Sequence, residues 1–219
     1  MSSYDPSTAL IVIDVQNDFA DPEGALSVSG GAEVVPVINA HIEQALAAGG
    51  KVFYTQDWHP PSTPHFEKDG GIWPVHCVAG SWGAELHPDL RVEGPVVRKG
   101  SNGEDGYSGF SMRDPETGET APTELHDLLE AAGIRKLVIA GLATDYCVLA
   151  TGMDARAREY PTTVLASGIR AVDLADGDGE RAIAELRLAG AYVETDANGE
   201  SARPGRGHGS RRGALDSRP

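Results

Sequence analysis

The chain has very little cysteine. Cys77 and Cys147 are its only two in 219 residues. No disulfide framework is implied, and the two bond only if the fold brings them together. Cations are also scarce: 18 Lys and Arg stand against 33 Asp and Glu, for a net charge of −15. That balance argues against nucleic acid or an anionic membrane surface as a partner. No apolar run is long enough to span a bilayer, and the stretch from Ala9 to Val15 carries Asp14. The first nine residues hold no basic stretch leading into an apolar one, so a secretory leader is not expected. No Gly-x-Gly-x-x-Gly follows the first apolar run, which sets a dinucleotide site aside. Gly106-Tyr-Ser-Gly-Phe110 is not a Gly-x-Ser-x-Gly nucleophile elbow. There are no internal repeats. These absences fit a protein of the reducing cytoplasm.

What is present is an alternation. Ala9-Leu-Ile-Val-Ile-Asp-Val15 is a continuous β-branched run, the pattern of a strand buried on both faces. Similar runs recur at 51–55, 95–98, 136–142, 162–166 and 191–195. Helical patterns lie between several of them, at 32–48, 123–132, 144–160 and 179–189. Strands alternating with helices imply a parallel sheet covered by helices on both faces. Residues 1–197 read as one such domain, a size that needs no second core. From 198 to 219 the chain is rich in Arg and Gly and nearly free of apolar residues, which predicts a disordered tail. Its five Arg stand against Glu200 and Asp216, so the rest of the chain is more acidic than the total suggests.

One segment breaks the alternation. Residues 58–93 are rich in Pro, Gly, His and Trp, and a loop this long in a compact domain is usually functional. Asp57 leads into it as Asp57-Trp-His59, and it continues through His65 to Trp73-Pro-Val-His76. Imidazole and carboxylate ligate borderline divalent metals such as Zn, Fe or Mn. Residues two apart on an extended chain point the same way, so Asp57 and His59 can face one ion. Each of these histidines alone reads as a solvated loop residue; the four residues together point to a metal. His41, His87, His126 and His208 lack such neighbours and read as surface residues.

A second group surrounds Cys147. Gly141-Leu-Ala-Thr-Asp-Tyr-Cys147 follows a buried run and opens a helix. Unpaired N–H groups in a first helical turn favour a thiolate and an oxyanion. Cys147 also reads as a small buried apolar residue, as most free cysteines are. Asp14 lies in an apolar strand, where a carboxylate is costly unless paired. Lys99 ends another strand. Ligands in open α/β sheets bind beyond the carboxyl ends of the strands. Asp14, Asp57, Lys99 and the 143–147 turn all fall at or just past such ends.

These residues resemble the nicotinamidase/pyrazinamidase family of the isochorismatase-like cysteine hydrolases. The resemblance is carried by Asp14-Val-Gln-Asn-Asp-Phe19 with Gly24-Ala-Leu, Asp57-Trp-His59, His65 and Trp73-Pro-Val-His76-Cys77. It continues through Arg98-Lys99-Gly100, Tyr107-Ser-Gly-Phe110 and Gly141-Leu-Ala-Thr-Asp-Tyr-Cys147. The motifs follow the family order over about residues 8–196. The resemblance implies a three-layer α/β/α fold with a six-stranded parallel sheet. It implies a catalytic set of Asp14, Lys99 and Cys147, with the Ala143 and Cys147 N–H groups at the oxyanion and a cis Leu142–Ala143 peptide. Asp57, His59 and His76 would hold one divalent metal ion, with His65 as a further ligand. Phe19, Trp73 and Tyr107 would wall the ring pocket. The implied reaction is hydrolysis of nicotinamide, and of pyrazinamide, to the acid and ammonia through a cysteine thioester. The implied partner is a small aromatic amide, and the chain would be a monomer or homodimer. The rivals are a relative acting on another amide or a carbamoyl or ureido compound, and a non-catalytic nicotinamide-binding protein. The polar loop 101–106 and the segment after Phe110 depart from the family pattern. The Arg-rich tail has no counterpart in it.

Overall fold

The structure is a computed structural model that describes residues 4–195. The tail expected over 198–219, with His208, lies outside the described residues. Six strands form one sheet: β1 (Thr8–Ile13), β2 (Lys51–Asp57), β3 (Val96–Lys99), β6 (Lys136–Leu142), β7 (Thr162–Arg170) and β8 (Tyr192–Glu194). Their order is β3-β2-β1-β6-β7-β8, and every pairing is parallel. All six runs picked out from the sequence are strands of this sheet.

β1 lies in the middle, and every one of its residues is buried. Its side chains alternate between two cores, as a strand's period of two requires. Leu10 and Val12 pack with Val35, Ile38 and Ile42 of α2 (Val34–Ala47). Ala9, Ile11 and Ile13 pack with Leu125 and Leu129 of α3 (Leu125–Ala131), Ala155 of α4 (Leu149–Ala157) and Leu186 of α5 (Asp178–Leu188). The sheet is therefore the middle of three layers. In α2, Val34, Ile38 and Ile42 recur every four residues and form the buried stripe. Each isoleucine so buried contributes about 1.5–3 kcal/mol.

The structure departs from the pattern reading in three places. The helix expected over 144–160 is split: Thr144–Val148 is a π-helical turn, and α4 follows it. The Val148 N–H donates to the Ala143 carbonyl at 3.1 Å, a five-residue step that widens the turn carrying Cys147. A short helix, α1 (Asn17–Ala20), follows β1. A two-stranded antiparallel hairpin, β4 (Ser111–Arg113) with β5 (Thr120–Pro122), fills the segment after Phe110. Elements of three or four residues are too short for periodicity to register. Among the described residues no helix is long and apolar enough to cross a membrane.

The sheet's carboxyl edge gathers the residues of interest. β2 and β3 end with Asp57 opposite Lys99. β1 ends at Ile13, and Asp14 turns away with φ +46°, a left-handed backbone that Asp tolerates better than most residues. β6 passes that end through Gly141 at φ +125°, where a Cβ would run into the Ile13 carbonyl. Only glycine meets both conditions.

Candidate active site

Lys99 is the centre of the site. Its side chain is fully buried, and Nζ lies 2.7 Å from Asp14 Oδ2, 2.5 Å from Asp57 Oδ1 and 3.7 Å from Cys147 Sγ. It also donates to the Gly106 carbonyl. Burial alone would lower the Lys99 pKa, but Asp14 and Asp57 outweigh it and drive it well above the ordinary value. The lysine is thus held as a cation. The two carboxylates then diverge. Burial pushes Asp14 up to about 6, against the relief that Lys99 and the Thr55 hydroxyl supply. Burial also opposes the Asp57 charge, yet Lys99 and then His59 hold that carboxyl well below the usual range. Burial pushes the Cys147 thiol well up, with Lys99 opposing. At neutral pH the cluster therefore rests as a thiol beside an ionised Asp14 of raised basicity. That is the pairing of nucleophile and general base. The Thr55 hydroxyl donates to Asp14 Oδ1 at 2.6 Å and accepts from the Asp14 N–H at 3.2 Å. One hydroxyl thus holds both the carboxylate and the backbone of Asp14.

Three imidazoles lie next to this cluster. His59, His65 and His76 are buried, and one nitrogen of each lies within 4.8 Å of the others. The long loop reaches this arrangement through short β-bridges. His59 pairs with Val78, and Phe66 pairs with Trp73, which brings His76 and His65 alongside His59. Outer partners occupy one nitrogen on two of the rings. His76 Nδ1 lies 2.8 Å from the Pro74 carbonyl, and His65 Nδ1 lies 2.7 Å from Asp105 Oδ1. Both nitrogens of His59 are buried without a hydrogen-bond partner. Leaving buried polar atoms unpaired is costly, so this ring is suited to receive a ligand. Burial lowers the His76 pKa to about 4, which keeps its ring neutral, the form that binds metals. Asp57 joins the two groups: Oδ2 lies 3.7 Å from His59 Nε2, while Oδ1 faces Lys99. Three buried imidazoles with an adjacent carboxylate fit a divalent ion such as Zn, Fe or Mn. His41 and His126 lie elsewhere, half-buried against Tyr4 and Tyr160.

A cavity opens between the clusters. Phe19, Leu26, Trp73, Tyr107, Tyr146 and Val172 give it an apolar wall, while Asp57, His65, His76, Ala143 and Cys147 complete its floor. The Trp73 indole N–H donates to the Tyr107 hydroxyl at 2.8 Å, and the Trp73 and Tyr146 rings meet edge to face at 4.7 Å. The Leu142–Ala143 peptide is cis. Thus Asp14, Lys99, Cys147, Ala143, Asp57, the three histidines, Phe19, Trp73 and Tyr107 all meet in one place.

The sequence reading missed several members of this site. Tyr146, Leu26 and Val172 line the cavity. Gln16 donates to the carbonyls of Asp57 and Ala84 and accepts from the Asp57 N–H. Asn17 donates to the Trp82 carbonyl. Asp18 accepts from the Cys77 N–H at 2.6 Å and the Ala25 N–H at 2.9 Å. The polar residues after Asp14 therefore pin the long loop. Buried Gln, Asn and Asp in one short stretch were the available signal, since such groups persist in cores only when bonded.

Comparison with known proteins agrees with this geometry. Residues 8–198 match the isochorismatase domain. The nicotinamidase of Escherichia coli is 37% identical over 213 residues, covering 89% of this chain and 98% of that protein. The Pyrococcus horikoshii pyrazinamidase, solved in complex with zinc, superposes with a TM-score of 0.76 at 34% identity, covering 86% of this chain and 99% of that one. PnC1 from L. infantum, solved with nicotinate, superposes at 0.78 with 35% identity, covering 88% and 95%. On sequence, sheet order and the residues gathered at the sheet's edge, this chain belongs to the isochorismatase-domain hydrolases, among the nicotinamidases and pyrazinamidases.

Proposed function

We propose that the chain hydrolyses nicotinamide, and pyrazinamide with it, to the acid and ammonia through a thioester on Cys147. One observation carries the reading: a single buried amine, Lys99 Nζ, touches the thiol, the raised-pKa Asp14 and the metal-facing Asp57. The relatives named as nicotinamidases, and the one solved with nicotinate, support the same substrate.

Asp14 takes the Cys147 proton, and Sγ attacks the carboxamide carbon. Lys99 remains protonated and balances the charge that moves between sulfur and carboxylate. The Ala143 and Cys147 N–H groups receive the oxyanion. Asp14 returns its proton to the nitrogen as the C–N bond breaks and ammonia leaves. Asp14 then draws a proton from a water that attacks the thioester; as the acid forms the C–S bond breaks, and Sγ takes that proton back from Asp14. Splitting the reaction this way replaces one hard step by two easier ones. Phe19, Trp73, Tyr107 and Tyr146 hold the ring in the attacking position. A divalent ion held by Asp57, His59, His65 and His76 would supply a Lewis acid for the ring nitrogen. The two unpaired cysteines suit the reducing cytoplasm in which we place this activity.

The test is ammonia release from nicotinamide by the purified protein, with chelation and metal add-back, beside Cys147→Ala. Metal-dependent release that disappears in the variant is expected. A panel of amides and ureido acids, compared by kcat/KM, sets the substrate class. Among the described residues the cavity's lining side chains include no Arg or Lys, so a substrate bearing its own carboxylate finds no side-chain cation among them. Ureido acids are therefore expected to be poor substrates. Tight nicotinamide binding with no turnover of any amide would make the chain a binding protein instead.

A further inference from the structure

The loop 100–106 links Lys99 to Tyr107, and three of its residues bond the site or the loop that carries it. The Gly103 carbonyl accepts from the Thr63 hydroxyl at 2.8 Å, which ties it to the segment holding His65. The Asp105 carboxylate lies 2.7 Å from His65 Nδ1. The Gly106 carbonyl accepts from Lys99. The loop is braced from outside by the hairpin: the Asp105 N–H donates to the Arg113 carbonyl at 2.7 Å, and the Arg113 N–H returns to the Asp105 carbonyl at 3.0 Å. The Asp105 side chain is mostly buried, and its second oxygen is 3.7 Å from Arg113 Nη1.

We propose that Asp105 is the positioning residue of the metal centre: it holds His65 with the proton on Nδ1 and so presents Nε2 toward His59 and His76. This rests on the reading of His65 as a metal ligand. A carboxylate offers only acceptors, so the shared hydrogen sits on Nδ1 and the lone pair on Nε2 stays free. The same contact fixes the ring's rotation, stacked on His59 at 4.8 Å and 22°. A carboxylate behind a ligating imidazole also makes it a stronger donor. The three rings thus differ in their support. His65 has a carboxylate, His76 has the Pro74 carbonyl, and His59 has no hydrogen-bonding partner behind it. His65 also sits on a stretch without regular structure, so it depends most on a side chain from elsewhere.

The experiment measures zinc affinity of the full chain by competition with a chromogenic chelator, which reads the centre without reference to turnover. His65→Ala, Asp105→Ala, Asp105→Asn and the double variant His65→Ala/Asp105→Ala are compared. Asp105→Ala is expected to weaken zinc binding about 10–100-fold. Asp105→Asn should recover most of that loss, because its amide oxygen can accept the same hydrogen bond. The double variant should bind no more weakly than His65→Ala alone, since Asp105 acts through that ring. If Asp105→Ala does not fold, Asp105→Glu carries the same expectation of weaker binding, having moved the carboxylate by one methylene. Wild-type affinity in Asp105→Ala beside a weakened His65→Ala overturns the proposal and leaves His65 a ligand. Losses that add in the double variant also overturn it. Unchanged affinity in His65→Ala removes that residue from the ligand set, and the proposal with it.

Discussion

The two halves of the site are built on opposite plans. Asp14, Lys99 and Cys147 stand at the ends of strands and on the turn after β6, and their charges satisfy one another in burial. His59, His65 and His76 stand on a long irregular loop, and the His59 ring has no hydrogen-bond partner among the described residues. The first cluster is complete as the chain folds. The second leaves the two ring nitrogens of His59 buried without a hydrogen-bond partner among the described residues. A rigid frame suits a reaction that must repeat one geometry, whereas an ion supplies its own cross-links to a loop.

Separating the halves should give the largest effect. Cys147→Ala is expected to lower amide turnover by roughly 10⁴-fold or more, with zinc affinity unchanged. Loss of metal in that variant would mean that the halves are not separable. Asp57 is the side chain they share, one oxygen on Lys99 and the other facing His59. Asp57→Asn should therefore weaken both metal binding and turnover measured at saturating metal, the latter by about 10²–10⁴-fold. A loss confined to metal content would show that the lysine does not need the second carboxylate. His59→Ala should weaken zinc binding by at least about 100-fold, more than losing an outer partner costs, and retained affinity would remove it from the ligand set.

A smaller effect separates the halves by pH. Burial disfavours the Asp14 charge and pushes its carboxyl up to about 6. As a base it must be ionised, so kcat/KM at saturating metal should fall about tenfold per pH unit below that point and level off above it. A profile flat down to pH 4.5 would take the base role from Asp14. The smallest expected change is in Tyr146→Ala, which opens the ring pocket and should raise KM several-fold, a loss of about 1 kcal/mol. An unchanged KM would place the ring elsewhere in the cavity.

Much of the frame was legible in the sequence because buried parallel strands advertise themselves as apolar runs. Asp14 and Lys99 stood out as charges inside or ending such runs, and Cys147 as a thiol opening a helix. The supports were not legible. Thr55 is 41 residues from Asp14, and Asp105 is 40 from His65. Neither pair follows from local spacing. Asp105 was read as part of a variable polar loop, since one acid in such a loop is ordinary until its partner is known. The π-helical turn has no residue signature of its own. It appears only when the Val148 N–H is seen to pass over the nearer carbonyls and reach Ala143.

The burial of Lys99 also makes the chain a clock for its own opening. The sequence holds four lysines, Lys51, Lys68, Lys99 and Lys136. Three are exposed to any acylating reagent, while Lys99 is sealed between two carboxylates at the sheet's edge. Peptide mass spectrometry after brief acylation would therefore find three fast lysines and one slow one. The slow one gains its label only when the edge of the sheet parts, so its rate counts those events directly. A bound metal or substrate that steadies the edge would slow that count.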